Sequence, residues 1–531
     1  MNYVDLFRAT LPETALEIAA LLVIVVDLGF LRKAASNTRV AVAALIGVVG
    51  CAAAIWAVYV AGWAGLSNGF SNGSYPLLAA GGTAAVAQVA ILVLTALTLL
   101  LFIDTGFTRN PGEYVAVVLM AAAGGLLISA AQDLLVIFVG LELLSLGLYI
   151  LTAFAKQSGK SAEAALKYYL FGGMSAAFLL FGFSYLYGLS GSTSLPSVMY
   201  GVNKATFNGG TPLLILALVM IAVGLGFKVA AVPFHFWAPD TYEGAPAPAA
   251  AFIASVSKVA SFALLISISY TSLNYMRMLM QSWSLTGGHS YGRVTITDAP
   301  IHTVLGFPYG WYLILIVLAV GSMIFGNLAA LAQTSVRRLL AYSAIAHAGY
   351  ILLGLAFFFW GYRSAQAVLY YILTYGLTTI GAFGVVGVVE RATGSDKLDS
   401  FLGLQKRNPL LAAVLLVLFL SLAGIPPLVG FWAKFNLFAA VLSGFGGNLR
   451  MGGAMVPLTL VALAIAFSAV SLYYYLQVLK RAYVMPAADD SPIKAHPVTL
   501  AVLLLIAAAV VVMGCFPALL QSWIASFYPA I

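Results

Sequence analysis

Residues Gly224–Pro248 read GLGFKVAAVPFHFWAPDTYEGAPAP, and the rest of the chain is interpreted outward from this stretch. Lys228 lies in an apolar run, although a charge at the centre of a bilayer costs about 2.5–3.5 kcal/mol on insertion scales. Pro233 lacks a backbone donor and breaks a helix just after the lysine. A lysine beside a helix break at membrane depth is typical of an ion path. The alternative is a lysine near a helix end whose side chain extends to the membrane interface.

The composition is that of a membrane protein with many spans. Of 531 residues, 62% are hydrophobic and 8% are charged, which is too little charge for the surface of a soluble fold. Lys and Arg outnumber Asp and Glu by 25 to 17, and in a membrane protein this excess indicates basic cytoplasmic loops, with no nucleic-acid partner. The two cysteines, Cys51 and Cys515, are too few for an iron–sulfur cluster held by four cysteines.

Fourteen stretches are long and apolar enough to span a bilayer, which takes about 20 residues. The first lacks the basic region and cleavage site of a signal peptide, so we expect it to remain as a span. The predicted spans cover residues 11–31, 40–64, 80–103, 114–131, 133–155, 162–189, 212–238, 248–273, 311–333, 339–361, 364–390, 409–440, 454–479 and 498–526.

Basic residues are distributed unevenly between the two sides of this arrangement. Loops that follow odd-numbered spans contain fifteen Lys and Arg, and the opposite side contains six. Because the basic side of a membrane protein faces the cytoplasm, both termini are predicted to be periplasmic. The composition, rich in Ala, Val and Gly, favours a multi-pass protein of a bacterial inner membrane over one encoded by an organelle.

Four lysines fall inside predicted spans, Lys167, Lys228, Lys258 and Lys434, and Glu142 lies near the centre of another span. Such residues are rare within spans and mark ion or proton pathways. Structural pairing explains one or two of them, but not four lysines with a single central glutamate. The sequence therefore predicts a proton or cation path through the bundle.

The chain contains an internal repeat. Ser161–Leu166 (SAEAAL) matches Ser364–Leu369 (SAQAVL), and Pro233–Pro239 (PFHFWAP) matches Pro426–Lys434 (PPLVGFWAK), in the same order. The unit spans about five helices, and two copies of an odd unit lie inverted in the membrane. We therefore predict an all-α polytopic fold with about fourteen transmembrane helices, two inverted five-helix repeats, and two broken helices that carry Lys228 and Lys434. The predicted divisions are N-terminal helices (1–110), first repeat (111–275), external loop (276–310), second repeat (311–485) and C-terminal helix (486–531).

Two histidines are candidates for a proton relay, because histidine titrates near neutral pH. His235 follows the break at Pro233, and His347 lies in the middle of a helix, in SAIAHAGYIL. A single histidine on an apolar face is equally expected to be a hydrogen-bonded core residue, and the sequence leaves both readings open.

The sequence offers no clear site for a nucleotide, flavin or metal. Gly159-Lys160-Ser161 is similar to the end of a phosphate-binding loop, but Phe154 stands where its first glycine belongs. Any redox chemistry that the chain serves is expected to lie in other subunits.

Three runs resemble the antiporter-like membrane subunits of respiratory complex I, a family that includes Mrp-type sodium/proton antiporter subunits. These runs are QDLLVIFVGLELLSLGLYIL (132–151), KVAAVPFHFWAPDTYEGAPAPAAAFIASVSKVASF (228–262) and LAGIPPLVGFWAKF (422–435). The resemblance covers roughly residues 90–480. Among these subunits the sequence is most similar to subunit N, the counterpart of mitochondrial NADH dehydrogenase subunit 2, because subunit M carries a glutamate at the position of Lys434 and subunit L is longer.

The resemblance implies a role for each buried residue. Glu142 would be the acid that pairs with Lys228 and tunes its affinity for a proton. Lys258 would be the central relay, Lys434 would lead to the next half-channel, and Lys167 would lie near the first half-channel. Desolvation and a nearby carboxylate act in opposite directions on a lysine, so moving the carboxylate switches the lysine between holding and releasing a proton.

The resemblance also implies partners, cofactors and one main alternative. The leading expectation is a proton-translocating subunit of NADH:quinone oxidoreductase, an enzyme complex in which electron transfer from NADH to quinone drives pumping. FMN, iron–sulfur clusters and quinone would be bound by other subunits, and this chain would contact other membrane subunits, the lipid bilayer and protons. The alternative is an Mrp-type sodium/proton antiporter subunit without redox coupling, and a third possibility is a purely structural membrane anchor.

Overall fold

The computed structural model describes residues 7–63, 77–79, 81–207, 210–285, 307–360, 362–443, 455–487 and 491–527. Most of these residues are helical. In chain order the α-helices are α1 (Leu11–Val25), α2 (Ser36–Trp63), α3 (Gly82–Phe102), α4 (Pro111–Ala130), α5 (Leu134–Thr152), α6 (Gly159–Ser190), α7 (Leu195–Phe207), α8 (Thr211–Val229), α9 (Trp237–Gly244), α10 (Ala247–Leu285), α11 (Phe307–Leu331), α12 (Val336–Ala356), α13 (Tyr362–Thr393), α14 (Leu404–Arg407), α15 (Pro409–Ala423), α16 (Val429–Ser443), α17 (Met455–Tyr483), α18 (Pro497–Cys515) and α19 (Pro517–Ser526).

Twelve helices in these ranges are long and apolar enough to cross a membrane. The other two predicted spans, 11–31 and 409–440, contain shorter helices. The first is α1, which ends in a π-helical turn at Val26–Phe30, and the second is the pair α15 and α16. The prediction of an all-α bundle with about fourteen transmembrane helices is therefore confirmed. α10 continues to Leu285 and α11 begins at Phe307, so both ends of the stretch predicted as an external loop (276–310) are helical; residues 286–306 lie outside the described ranges.

The two five-helix repeats are α4, α5, α6, α8–α9 and α10, and then α11, α12, α13, α15–α16 and α17. Their second helices begin with the same contact. In the first repeat the Thr193 hydroxyl donates to Asp133, which caps α5, at 2.6 Å. In the second repeat Ser335 caps α12 and its hydroxyl donates to Asp396. The acid and the hydroxyl have exchanged places while the contact between the two segments is kept.

Close packing of the first two helices is also repeated. A Cβ atom on Gly124 of α4 would lie 2.5 Å from the backbone nitrogen of Leu144 in α5. A Cβ atom on Gly326 of α11 would lie 2.6 Å from the backbone nitrogen of Ala346 in α12. Both members of the first pair are 202 positions before their counterparts. Glycine is therefore needed at these two crossings because the helix backbones touch.

Both broken helices end in a left-handed residue before a proline. α8 is followed by Ala230 at φ 58°, and α15 is followed by Gly424 at φ 88°. Each break includes a cis peptide bond, at Val232–Pro233 and at Pro426–Pro427. Such ends leave backbone carbonyls without helical partners. The first break contacts α11, where the Val232 backbone N–H donates to the Ser322 hydroxyl at 2.9 Å, and the second break packs against Gly514 of α18.

Candidate functional site: a buried chain of lysines, histidine and tyrosines

Lys228 lies in the last turn of α8 and is buried. Its ammonium group donates a hydrogen bond to the Ser145 hydroxyl on α5. The Nζ atom lies 5.9 Å from the centre of the Tyr149 ring and 5.8 Å from that of Phe227. Aromatic faces attract a cation at this range, so the pocket holds the ammonium form with a hydroxyl and two rings.

Glu142 lies on α5 one turn before Ser145, and its side chain is half-buried. The sequence resemblance implies a pair between Glu142 and Lys228. No ion pair within 4.0 Å joins them in the described ranges, and the direct partner of Lys228 is Ser145. The two residues nevertheless interact electrostatically, because Glu142 is one of the charges that act on Lys228. The carboxylate thus lies beside the lysine site without touching it.

Lys258 lies in the first half of α10 and is buried. Its Nζ atom donates to the carbonyl oxygen of Ala344 on α12 at 2.5 Å and lies 5.8 Å from the centre of the Tyr375 ring on α13. Among the described residues no carboxylate lies within 4.0 Å of this ammonium group. A buried lysine without an acid is suited to a change of protonation, since the neutral form is favoured away from water.

His347 continues this site along α12. Its Nδ1 atom lies 2.8 Å from the Tyr371 hydroxyl, and its Nε2 atom lies 3.4 Å from the Tyr475 hydroxyl. The ring centre of His347 is 4.8 Å from that of Tyr375, the same tyrosine that faces Lys258. A histidine with hydroxyls at both ring nitrogens can accept a proton at one and release it at the other.

A second set of polar side chains extends from His347 toward Lys434. The Tyr475 hydroxyl bonds Ser343. The neighbouring Tyr474 hydroxyl donates to Asn327 at 3.2 Å, and the Asn327 amide donates to the Tyr350 hydroxyl at 3.1 Å. All of these side chains are buried. Because hydroxyls and amides both donate and accept, this set forms a polar connection through the second repeat.

Lys434 lies at the far end of this connection, in α16. Its Nζ atom donates to the carbonyls of Leu422 and Ala423 at 3.1 and 2.9 Å, and to the Ser468 hydroxyl at 2.9 Å. It also lies 5.5 Å from the centre of the Tyr350 ring. The two carbonyls belong to the end of α15, where the break leaves them without helical partners. The break therefore supplies the ligands of the ammonium group.

Lys167 corrects the expectation of four buried lysines. Its side chain is 41% exposed, and it forms ion pairs with Glu163 at 2.7 Å and Asp240 at 2.8 Å. Arg338 also binds Asp240, at 2.6 Å. Burial, the largest single influence, raises the pKa of Asp240, but its hydrogen bonds from Lys167 and Arg338 lower the pKa overall. Lys167 thus belongs to an ion-pair cluster that ties α9 to α6 and α12 at one end of the bundle.

His235 lies apart from the other candidates. It is buried after the break at Pro233, and its ring packs 4.5 Å from Phe236 and 4.7 Å from Phe325. Its Nδ1 atom has no hydrogen-bond partner among the described residues. The structure therefore brings His347, and not His235, into contact with the polar chain.

The sequence did not single out the tyrosines of the polar chain. Tyr473 is exposed, but its neighbours Tyr474 and Tyr475 are buried in that chain. Arg337, near the start of α12, is also buried and was not singled out. No cluster of three or more His, Cys, Asp or Glu side chains suited to a metal occurs in the part of the chain that the structure describes.

A bundle with two repeats, two broken helices and buried lysines at both breaks defines the class of antiporter-like membrane subunits. In agreement, residues 131–307 and 301–458 match the family described as NADH:quinone oxidoreductase/Mrp antiporter, TM. A relative named NADH-quinone oxidoreductase subunit N 2, from Acidobacterium capsulatum, is 44% identical over 99% of both chains. The chain belongs to the subunit N family of NADH-quinone oxidoreductases, as its resemblance implied.

Two solved structures are similar to this chain, one in both sequence and fold and the other in fold alone. A chain of respiratory complex I from Thermus thermophilus with bound aureothin is 31% identical, with a TM-score of 0.71 over 96% of this chain and 98% of that one. A chain of the Mrp complex from Dietzia sp. DQ12-45-1b has a TM-score of 0.75 over 99% of this chain and 98% of that one, but is 19% identical. The second likeness shows the shared fold alone.

Proposed function

We propose that this chain is the proton-translocating subunit N of an NADH:quinone oxidoreductase. In this role it couples electron transfer from NADH to quinone, carried out elsewhere in the complex, to proton movement through its own buried side chains. The observation that carries the proposal is the buried set of Lys258, His347 and Lys434, in which the Tyr375 ring lies near both Lys258 and His347 and the Tyr350 ring faces Lys434. Each lysine is buried, and none has a carboxylate within 4.0 Å in the described ranges.

The buried groups take different parts in this proposal. Lys228, with Glu142 beside it, holds a proton in the first repeat. Lys258 receives it at the boundary of the repeats, and His347 passes it toward Lys434 by way of the surrounding hydroxyls. Lys434 releases it on the far side of the second break. Lys167 and His235 are outside this route, because the first is ion-paired at the surface and the second does not contact the chain.

The relatives favour this function over sodium/proton antiport. The curated relative with 44% identity carries the oxidoreductase name, whereas the Mrp structure shares only the fold. Lys434 supports the same choice through the resemblance to subunit N. The partners are then the other membrane subunits of the complex, the lipid bilayer and protons.

The proposal places the cofactors and the two ends of the bundle as follows. FMN, iron–sulfur clusters and quinone are bound by other subunits, and this chain supplies proton transfer alone. The membrane is a bacterial inner membrane. The end with Lys160, Arg337 and Arg338, which we call the basic end, faces the cytoplasm because basic residues are retained there. Both termini are then periplasmic, and the repeats divide near residues 275 and 311.

The test compares two lysines of the same bundle. Lys258→Met removes the central ammonium group but keeps an unbranched side chain, and Lys167→Met removes an exposed one. We expect the assembled Lys258→Met complex to pump about 100-fold more slowly, the lower end of the contribution of a positioned proton-transfer group. The control should pump nearly as well as the wild type. Proton uptake driven by NADH is measured in vesicles and normalised to assembled complex. Wild-type pumping by Lys258→Met would remove the basis of the proposal.

A further inference from the structure

The groups around the Lys434 ammonium are arranged as a binding site built largely from backbone. The carbonyls of Leu422 and Ala423 accept hydrogen bonds from Nζ at 3.1 and 2.9 Å, and the Ser468 hydroxyl accepts one at 2.9 Å. The Tyr350 ring faces the same atom, with its centre 5.5 Å away. A primary ammonium ion has three N–H donors and no acceptor. The three oxygens therefore match its donors one for one, and the ring adds attraction for the positive charge.

The first break offers no equivalent set of oxygens, because its tryptophan is placed differently. Trp237 and Trp432 are the tryptophans of the Phe-Trp-Ala run that both broken helices contain. The Trp237 indole N–H donates to the carbonyl of Phe227, at the end of α8, at 2.9 Å. The Trp432 indole N–H donates instead to the carbonyl of Gly514 on α18, at 2.8 Å. The indole thus covers a freed carbonyl in the first break, whereas in the second the freed carbonyls are left for Lys434.

The side chain of Lys434 reaches these oxygens past Gly424. A Cβ atom on Gly424 would lie 2.9 Å from Cδ and 3.3 Å from Nζ of the lysine, so the glycine leaves room for the chain. Lys434→Ala would delete Cγ, Cδ, Cε and Nζ, which are the heavy atoms of n-propylammonium. Because a cavity left by a truncated side chain can take up a ligand of matching shape, the deleted group defines the ligand to be tried.

We propose that the second break is a binding site for primary ammonium ions, which Lys434 occupies in the natural chain and a free alkylammonium ion occupies when this lysine is shortened. In the described ranges no carboxylate lies within 4.0 Å of Nζ, so recognition depends on hydrogen bonds to the three oxygens. The site therefore selects ions that carry N–H donors over quaternary ammonium ions of the same charge. Ser468 supplies one of the three acceptors and is a positioning residue for the ammonium group.

The first experiment measures binding to the purified, assembled complex that carries Lys434→Ala. Thermal unfolding is followed in n-propylammonium, tetramethylammonium or sodium chloride at constant ionic strength and pH 7, where a primary alkylamine is protonated. A ligand that binds only the folded state raises Tm as its concentration rises. We expect n-propylammonium to raise Tm by about 2 °C or more over sodium. Tetramethylammonium, which has the charge but no N–H donor, should not.

Two control variants test whether the effect belongs to this site. Lys434→Met fills the same space with an uncharged side chain, and Lys228→Ala removes the lysine from the break in which Trp237 covers the freed carbonyl. Neither should respond to n-propylammonium more than to sodium. No rise in Lys434→Ala, or an equal rise with tetramethylammonium or in either control, would overturn the inference. If Lys434→Ala assembles only when n-propylammonium is present, the inference is supported; failure to assemble even then would contradict it.

The second experiment removes one of the three acceptors. Ser468→Ala is combined with Lys434→Ala and compared with Thr459→Ala in the same background. Thr459 is also on α17, but its hydroxyl donates to the Met455 carbonyl of its own helix at 2.7 Å. We expect the half-saturating concentration of n-propylammonium to rise about fivefold with Ser468→Ala, the scale of one net hydrogen bond, and to stay unchanged in the control. Equal concentrations in both would overturn the assignment of Ser468.

These measurements do not depend on proton pumping. If Lys258→Met pumps like the wild type, the proposed function fails, but binding of n-propylammonium to the Lys434→Ala complex is still expected. If binding is absent while Lys258→Met is impaired, the ammonium site is wrong and the proposed function stands.

Discussion

Each broken helix carries one lysine, but one lysine lies before its break and the other lies after its break. In the first repeat Lys228 precedes the break and reaches away from it to Ser145 on a neighbouring helix. In the second repeat Lys434 follows the break and reaches back to the carbonyls of Leu422 and Ala423. One lysine therefore depends on a side chain of another helix, and the other depends on backbone freed by the break. The repeated helix breaks therefore determine where an ammonium group can be held, but the position of the lysine that supplies this group differs between the repeats.

The polar content of the repeats differs at equivalent positions. His347 is 202 positions after Ser145, the spacing of the repeated glycine crossings, so a histidine in the second repeat replaces a hydroxyl in the first. In the first repeat Tyr168 stacks on Trp237 at 4.3 Å, whereas in the second Tyr371 binds His347 at 2.8 Å. We infer that the first repeat holds a proton beside Glu142, while the second contains the longer path for onward transfer.

The largest expected effect on proton pumping is at the equivalent positions His347 and Ser145, where substitution should have different consequences. His347→Phe removes the ring nitrogens that join Tyr371 to Tyr475 in the described structure, so pumping should fall by about 100-fold or more, as for loss of a general acid–base group. Ser145→Ala should cost less, because Glu142 still acts on Lys228. Proton uptake per assembled complex is measured for both. Equal losses would mean that the repeats do not differ in the way described.

A smaller effect, on stability, is expected at Ala230 and Gly424, the left-handed residues that follow α8 and α15. Gly424→Ala places a Cβ atom in the left-handed region, which costs about 1–2 kcal/mol, and 2.9 Å from Cδ of Lys434. Ala230→Gly removes the corresponding strain in the first repeat and should be neutral or stabilising by up to about 1 kcal/mol. The melting temperature of the purified complex is compared with its pumping. A Gly424→Ala variant that matches the wild type in both would contradict the contact with Lys434.

The smallest effect concerns pH at the ion-pair cluster around Asp240. Its pKa is lowered in the folded chain, so its contribution to stability is present above the unfolded pKa, about 3.9, and is lost as pH falls through the folded value. Asp240→Asn should therefore lower stability at pH 7 by less than about 1 kcal/mol, because the pairs are partly exposed. It should make little difference once the carboxylate is protonated in the wild type. Thermal unfolding is measured at pH 7 and at a pH low enough to protonate the Asp240 carboxylate, with Glu163→Gln as the control variant. A larger loss of stability in Asp240→Asn at the low pH than at pH 7 would contradict the assignment.

The spans, the two repeats and the three buried lysines could be predicted from the sequence alone. Apolar runs show the spans, and a charge within such a run is conspicuous because it is costly in lipid. Lys167 was placed inside a span because the apolar part of α6 begins directly after it, and its partner Asp240 is 73 residues away in the chain. Tyr371, Tyr475 and Asn327 were missed for a related reason. Each is an ordinary core residue in its own helix, and the polar chain exists only where α11, α12, α13 and α17 meet.

The most direct test of the central claim is a substitution series at Lys434. Arginine keeps the charge but does not release a proton under physiological conditions, glutamate keeps a titratable group, and alanine keeps neither. Proton uptake into vesicles is driven by NADH and normalised to assembled complex for all three variants. If protons leave through Lys434, Lys434→Arg should assemble but pump poorly, and Lys434→Glu should retain more activity than Lys434→Ala. If the arginine, glutamate and alanine variants all pump like the wild type, Lys434 is a structural lysine and protons take another route.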